Sequence, residues 1–287
     1  IQSVMDSIKV LASGLNTFAS FFFIGPTGVG KTQLSKLLGK RYSGNFFKIN
    51  CAEYSASHEY AKLIGSPPGY VGHSDRSILA EKAEKSSRWV FIFDEIEKAH
   101  PKFYDFLLSL LDDGTITDNM GRVLDFSESI FIFTSNQGIS DLKLGKQLGF
   151  SEKKITYDES NDSILESVKK NFNPEFLNRI DHFIFFHSLT IPQAKKVASL
   201  ALMGLPVKKT KSLLDFIVKN AYSQEYGARN IERFVKNSIS VKIADEILNK
   251  RIPKKKGTLY SCKITGNEFK IVDTENSTIE DSQVSGA

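Results

Sequence analysis

Eight consecutive residues, Gly25-Pro26-Thr27-Gly28-Val29-Gly30-Lys31-Thr32, satisfy every fixed position of the pattern G-x-x-x-x-G-K-[ST]. That spacing holds phosphate. The glycines let the backbone curl so that successive N–H groups point inward at phosphate oxygens. A helix that follows directly adds its positive N-terminal end. Lys31 would reach the β- and γ-phosphates, and the Thr32 hydroxyl would ligate Mg²⁺. Hydrolysis needs more, and two carboxylates downstream supply it. Asp94 and Glu95 close the apolar run Val90-Phe91-Ile92-Phe93. Asp94 is expected near the Mg²⁺, and Glu95 is placed to polarise the water that attacks the γ-phosphate. Thr134-Ser135-Asn136 ends another apolar run. Ligands of open α/β sheets bind at the C-terminal strand edge, so Asn136 is expected to hold that water or touch the γ-phosphate.

These groups need strands and helices to position them. Phe21 to Ile24 feeds the loop as a buried strand, and Gln33 to Leu38 continues from it as a helix. Phe46 to Asn50, Trp89 to Phe93, Ser129 to Thr134 and His182 to Phe186 read as further strands. The strand that carries Asp94 is expected to run beside the phosphate-loop strand. Val4, Met5, Ile8 and Leu11 form a helix-like stripe at the start. Pro101 opens a helix at its favoured first position, carried by Phe103, Phe106, Leu107, Leu110 and Leu111. Strands buried on both faces and separated by helices predict an α/β fold, a parallel sheet between helix layers. After about His187 the pattern turns helical, over Ile191 to Met203, Lys208 to Ala221 and Ala228 to Asn249. A hairpin, Leu259 to Ile264 with Glu268 to Val272, closes the module. We therefore divide the chain into a large domain, 1–187, and a small, mainly helical one, 188–273. The polar stretch 274–287 reads as a disordered tail.

The bulk properties exclude several classes. In 287 residues no apolar run reaches the length needed to cross a bilayer, and no signal peptide is visible. The chain begins at Ile1 inside a helical pattern and reads as a fragment of a longer protein. Cys51 and Cys262 lie too far apart in sequence to suggest a disulfide framework or a zinc site, which suits a reducing compartment. The formal charge is only +5. Its densest cluster, Lys250-Arg251 with Lys254-Lys255-Lys256, reads as a solvated loop before a nucleic-acid patch.

The order of phosphate loop, Asp-Glu strand, Asn-ended strand and helical lid resembles the AAA+ ATPases. Several segments resemble the second ATPase module of Clp unfoldases. They are Gly25 to Thr32, Phe93-Asp94-Glu95-Ile96-Glu97-Lys98-Ala99-His100, Leu111-Asp112-Asp113-Gly114, Asn173 to Asp181 and Tyr226-Gly227-Ala228-Arg229. The resemblance runs from about Ile1 to Val272. It implies ATP or ADP with Mg²⁺ as the bound nucleotide. It also implies that Arg179 is an arginine finger reaching the γ-phosphate of a neighbouring subunit. Read without the family, Arg179 would be a helix-terminal Arg paired with Asp181. Arg229 matches the second sensor, a cis Arg responding to nucleotide state. Read alone, it would be a surface Arg beside Glu225 and Glu232. A guanidinium, with permanent charge and a planar fork of donors, suits either task. The family's short apolar-Gly-Gln segment, which cradles adenine ahead of the first helix, has no counterpart in this chain.

The same resemblance implies the use of ATP. Tyr70 and Val71, in the loop Gly69-Tyr70-Val71-Gly72, match a segment that grips unfolded polypeptide in the axial pore of a homohexamer. Thr117 to Arg122 matches a second pore loop. Leu148-Gly149-Phe150 lies where the protease-linked ClpA and ClpC carry a tripeptide that docks on a ClpP-type peptidase; ClpB disaggregases lack it. The implied protein is a cytoplasmic unfoldase serving such a peptidase, with unfolded proteins and adaptors as partners. A ClpB-type disaggregase is the alternative. A nucleic-acid motor is disfavoured by the Gly-Tyr-Val-Gly loop, and no membrane partner is expected.

Overall fold

The apolar runs become strands buried on both sides. In the computed structural model, which describes residues 2–14, 18–66, 77–137, 157–223, 226–249, 252, 259–266 and 268–272, the strands follow in chain order. They are β1 (Ala19–Ile24), β2 (Phe46–Asn50), β3 (Val90–Asp94), β4 (Thr115–Thr117), β5 (Val123–Asp125), β6 (Ile130–Ser135), β7 (His182–Phe185), β8 (Ser261–Thr265) and β9 (Glu268–Val272). The main sheet has five strands in the order β2-β3-β6-β1-β7, and every neighbouring pair is parallel. β1, β3 and β6 are buried at every position, as continuous apolar runs in a covered parallel sheet should be. Rings stack across them, with Phe93 and Phe133 centroids 4.9 Å apart and Phe176 edge-on to Phe133 at 5.0 Å. The expected α/β fold is borne out.

One expected neighbour is wrong. β3 does not run beside β1, because β6 lies between them. The helix Lys31–Tyr42 explains how Asp94 still approaches the phosphate loop. To connect β1 with β2 at the sheet edge it crosses over β6 and packs at β3. Gly39 marks the crossing: a Cβ there would lie 2.6 Å from the Phe46 Cβ and 3.6 Å from the Val90 Cβ. Thr32, on the first turn of this helix, is thereby aimed toward the end of β3.

Smaller differences follow from packing. In the first helix, Gln2–Ala12, Val4 and Leu11 are buried but Met5 is 46% exposed, so Met5 does not belong to the inward stripe. The helix Pro101–Asp113 forms as expected, with His100 Nδ1 accepting the Lys102 N–H at 3.2 Å and all five apolar residues of its stripe buried. The segment after it is a hairpin, β4 with β5, where the sequence suggested only a loop. Its turn is organised by Asp118, which accepts from the Met120 and Arg122 N–H groups, each at 2.9 Å, and from Arg122 Nε at 2.8 Å.

The chain divides into two compact units, Ile1–Gly25 with Gly30–Phe186, and Pro26–Val29 with His187–Ala287. In the second unit, helices Ile191–Ala201 and Lys211–Ala221 are followed by one continuous helical stretch. That stretch was expected to be a plain α-helix. It passes instead through a π-helical segment, Val235–Ser240, between Ala228–Phe234 and Val241–Leu248. Thr190 and Gln193 form a capping box that starts the first helix. The second begins at Lys211, later than expected, because Thr210 Oγ1 caps it by accepting the Leu213 N–H at 3.2 Å. Residues including Ala194, Leu213, Ile231, Ile239 and Tyr260 form the unit's own core. Its Ala228 N–H donates to the Gly28 carbonyl at 2.8 Å. The β8–β9 hairpin is antiparallel, as expected.

Candidate functional site

β1 ends at Ile24 and the chain then bends sharply. Gly28 and Gly30 adopt φ of 72° and 104°, conformations that side chains rarely tolerate. The helix that follows starts at Lys31 with Gly30 as its cap and no side-chain capping bond, so its first N–H groups suit an anion. Lys31 Nζ donates to the Gly25 carbonyl at 2.5 Å, folded over the loop it belongs to.

Asp94 is the point where three other elements meet. Thr134 Oγ1, on β6, donates to Asp94 Oδ1 at 2.5 Å, and Thr32 Oγ1 lies 3.4 Å from the same oxygen. Lys48 Nζ, on β2, lies 2.5 Å from Asp94 Oδ2. Burial pushes the Asp94 carboxyl up, but hydrogen bonds from Lys48, Thr134 and Thr32 outweigh it and hold the group below its ordinary 3.8. A carboxyl whose native pKa lies below its unfolded value stabilises the fold fully above the unfolded value. It loses that contribution as pH falls through the native one. Wild type is therefore expected to be more stable than Asp94→Asn at neutral pH, with the gap closing below about pH 4. Acid unfolding followed by circular dichroism checks this; a gap that persists to the lowest pH would show that ionised Asp94 contributes nothing.

Glu95 follows with φ 57° and ψ 52°, and no other non-glycine among the described residues has positive φ. Strain of this kind persists where the surroundings enforce it, commonly at functional sites. Thr134 helps enforce it, since its Oγ1 accepts the Glu95 N–H at 3.3 Å while donating to Asp94. Asn136 sits half-buried just past β6, its N–H 3.5 Å from Glu97 Oε1. Thr32, Asp94, Glu95 and Asn136 thus gather at the C-terminal ends of β3 and β6 and the start of the loop helix. The Thr32 and Asp94 oxygens are the hard donors that suit Mg²⁺ held by few protein groups together with nucleotide phosphates. Among the described residues no cluster of three or more His, Cys, Asp or Glu could hold a metal without such help. Cys51 is buried nearby; burial, reinforced by Asp94, Glu97 and Glu95, pushes its thiol well up, so it remains a neutral core group.

Arg179 lies at the other end of the sheet. Its carbonyl accepts from Ser20 Oγ at 3.0 Å, at the N-terminal end of β1, whereas the phosphate loop leaves the C-terminal end. The five residue steps from Ser20 to Gly25 span about 16 Å, beyond the reach of an Arg side chain. The guanidinium pairs with Asp112 and Glu175. The anticipated partner Asp181 is engaged elsewhere, accepting from the Ser20 N–H at 2.7 Å and Ser20 Oγ at 2.8 Å. Arg229, in the second unit, is exposed on the first turn of Ala228–Phe234. Tyr70, Val71, Leu148, Gly149 and Phe150 lie outside the described residues, as do Glu225, Lys250, Arg251, Lys254, Lys255 and Lys256.

Sequence reasoning missed Lys48, Thr134 and Asp112 as partners of the site residues. A lysine inside a strand that precedes the Asp-Glu strand was a visible signal for Lys48. Nothing local revealed that it would meet Asp94.

Residues 16–183 match a family model described as "AAA domain (Cdc48 subfamily)", and residues 193–260 match "C-terminal, D2-small domain, of ClpB protein". The chain is similar to chaperone protein ClpB of Oceanobacillus iheyensis, 36% identical over 88% of this chain and 34% of that protein. It is also similar to the ATP-dependent Clp protease ATP-binding subunit ClpC of Staphylococcus aureus (strain USA300), 35% identical over 94% of this chain and 35% of that protein. The chain therefore spans about a third of the length of the curated relatives it matches. Among solved structures, a closed-state cryo-EM reconstruction of Hsp104 with ATPγS and FITC-casein matches with a TM-score of 0.82. That likeness holds at 28% identity and covers 96% of this chain and 48% of the other.

Proposed function

Because this chain belongs to the AAA+ ATPases of the Clp family, as a second ATPase module, we propose that it hydrolyses ATP to unfold proteins and feed them to a peptidase. The observation that carries the reading is the convergence of Thr32, Asp94 and Glu95, each held by other elements, beside a glycine-rich phosphate loop. In this reading 1–187 is the nucleotide-binding domain and 188–273 the lid domain. Gly25, Pro26, Thr27, Gly28, Val29 and Gly30 wrap the phosphates, and Lys31 turns from the Gly25 carbonyl to the β- and γ-oxygens. Thr32 and Asp94 would hold Mg²⁺, which when bound supplies positive charge against the phosphate oxygens. Glu95 takes the proton of the attacking water as its oxygen bonds to the γ-phosphorus and the bond to ADP breaks. Asn136 orients that water.

Arg179 acts on the nucleotide of a neighbouring subunit, and Arg229 senses nucleotide in cis. The span of β1 between Arg179 and its own phosphate loop supports a finger that works across a ring. We take that ring to be a homohexamer. Tyr70 and Val71 grip the polypeptide, and Leu148, Gly149 and Phe150 dock a ClpP-type peptidase. A bacterial cytosolic setting suits the bacterial relatives, and no described helix is long and apolar enough to cross a membrane. The ClpB likeness keeps a disaggregase as the second reading. Deleting Leu148 to Phe150 from the full-length protein separates them. Peptidase binding, read by co-sedimentation, is expected to vanish while ATP turnover stays within about twofold; retained binding would overturn the docking assignment.

A further inference from the structure

Asp112 and Asp113 occupy the last turn of the helix Pro101–Asp113, which carries no basic residue there. That turn is the negative end of the helix dipole, so two carboxylates are locally misplaced. Sequences break local rules of this kind mainly where function or a distant contact compensates. For Asp112 the compensation is Arg179. Nε of Arg179 donates to Asp112 Oδ1, and Nη2 lies 3.4 Å from Asp112 Oδ2. Nη1 is 3.3 Å from both the Glu175 carbonyl and Glu175 Oε1. Glu175 needs no such explanation, because it sits in the first turn of the helix Pro174–Asn178, where negative charge is favoured.

The backbone of Arg179 is held independently. Fully buried Ser20 shares its one hydroxyl proton between the Arg179 carbonyl at 3.0 Å and Asp181 Oδ2 at 2.8 Å, and its Oγ accepts the Asp181 N–H at 2.9 Å. With the backbone clasped, the side chain's direction is set by whatever grips the guanidinium. A guanidinium presents five donors in a rigid fork. Asp112 takes the Nε edge and leaves Nη1 and the outer hydrogen of Nη2 for a second acceptor. Glu175 occupies Nη1, the position that acceptor needs.

We propose that Asp112 is a positioning residue for the arginine finger, gripping Arg179 by its Nε edge so that the Nη tip presents to a neighbouring subunit's γ-phosphate. Glu175 holds that tip only until the phosphate displaces it. This rests on the finger reading of Arg179, and the test separates the two. In the assembled full-length protein, Asp112→Asn is expected to lower kcat about ten- to a hundredfold, with KM for ATP within about twofold. Asp113→Asn removes the same charge from the same helix end and is expected to leave kcat within about twofold. On an Arg179→Ala background, Asp112→Asn should add nothing further.

If Arg179→Ala turns over at the wild-type rate, the finger reading fails and this proposal falls with it. If Arg179→Ala is slow while Asp112→Asn matches wild type, the proposal alone is overturned. It is equally overturned if Asp112→Asn slows the Arg179→Ala protein further, or raises KM and spares kcat. Sedimentation velocity accompanies each assay, and an Asp112→Asn protein that no longer assembles would assign Asp112 to structure instead.

Discussion

Glu95→Gln in the full-length protein is expected to bind ATP as wild type does and to turn it over about 10²–10⁴-fold more slowly. The substitution keeps the side chain's size and one carbonyl oxygen, and removes only the capacity to accept the proton of the attacking water. Backbone geometry makes the result informative. Glu95 is held at φ 57°, with its N–H bonded to Thr134 Oγ1, and neither feature depends on the side chain's charge. Asp94, with its own bonds to Lys48 and Thr134, is likewise untouched. Loss of turnover with retained nucleotide affinity, measured by equilibrium binding and steady-state hydrolysis, would identify the base. Normal turnover would remove Glu95 from the mechanism, and loss of binding would recast it as a structural residue.

Arg179→Ala is expected to slow turnover by about 10³-fold or more, the range measured where an arginine finger is supplied in trans. The geometry makes a stronger demand than a slow variant. Arg179 is clasped at the N-terminal end of β1 and its own phosphate loop leaves the C-terminal end, so it cannot complete the site of its own chain. Two inactive proteins should then repair one another. A ring mixed equally from Glu95→Gln and Arg179→Ala subunits places an intact Glu95 opposite an intact Arg179 at about a quarter of its interfaces. Turnover should recover in that proportion. If mixing restores nothing while mixed rings form, Arg179 acts in cis or not at all.

Much of the site was legible because its chemistry is local. Phosphate binding needs curled backbone followed by a helix start, and eight adjacent residues encode both. Asp94 and Glu95 were recognisable once an apolar strand was seen to end in two acids after such a loop. The helix Pro101–Asp113 was equally plain, from its leading proline and its stripe of five apolar residues. The hairpin at Thr115 to Asp125 was not, because its strands are three residues each, too short for alternation to register. The single helix expected over 228–249 became three segments, since apolar spacing does not distinguish an α-turn from a π-turn inserted within it.

The sequence alone determined that this protein has a glycine-rich loop of the phosphate-binding pattern, an Asp-Glu strand end, an alternating α/β region and a helical region after it. Each of these is written in contiguous residues whose period or turn chemistry is read from neighbours along the chain. Tertiary structure decided which strands are neighbours, and so placed β6 between β1 and β3. It brought Thr134, 40 residues away, and Thr32, 62 away, to one carboxylate. It gave Arg179 to Asp112, 67 residues away, and gave Asp181 to Ser20, 161 away. The physical reason is that strand order and ion pairing are fixed by burial across the whole sheet. A residue's type announces that it can pair, and only the packed core settles with which partner.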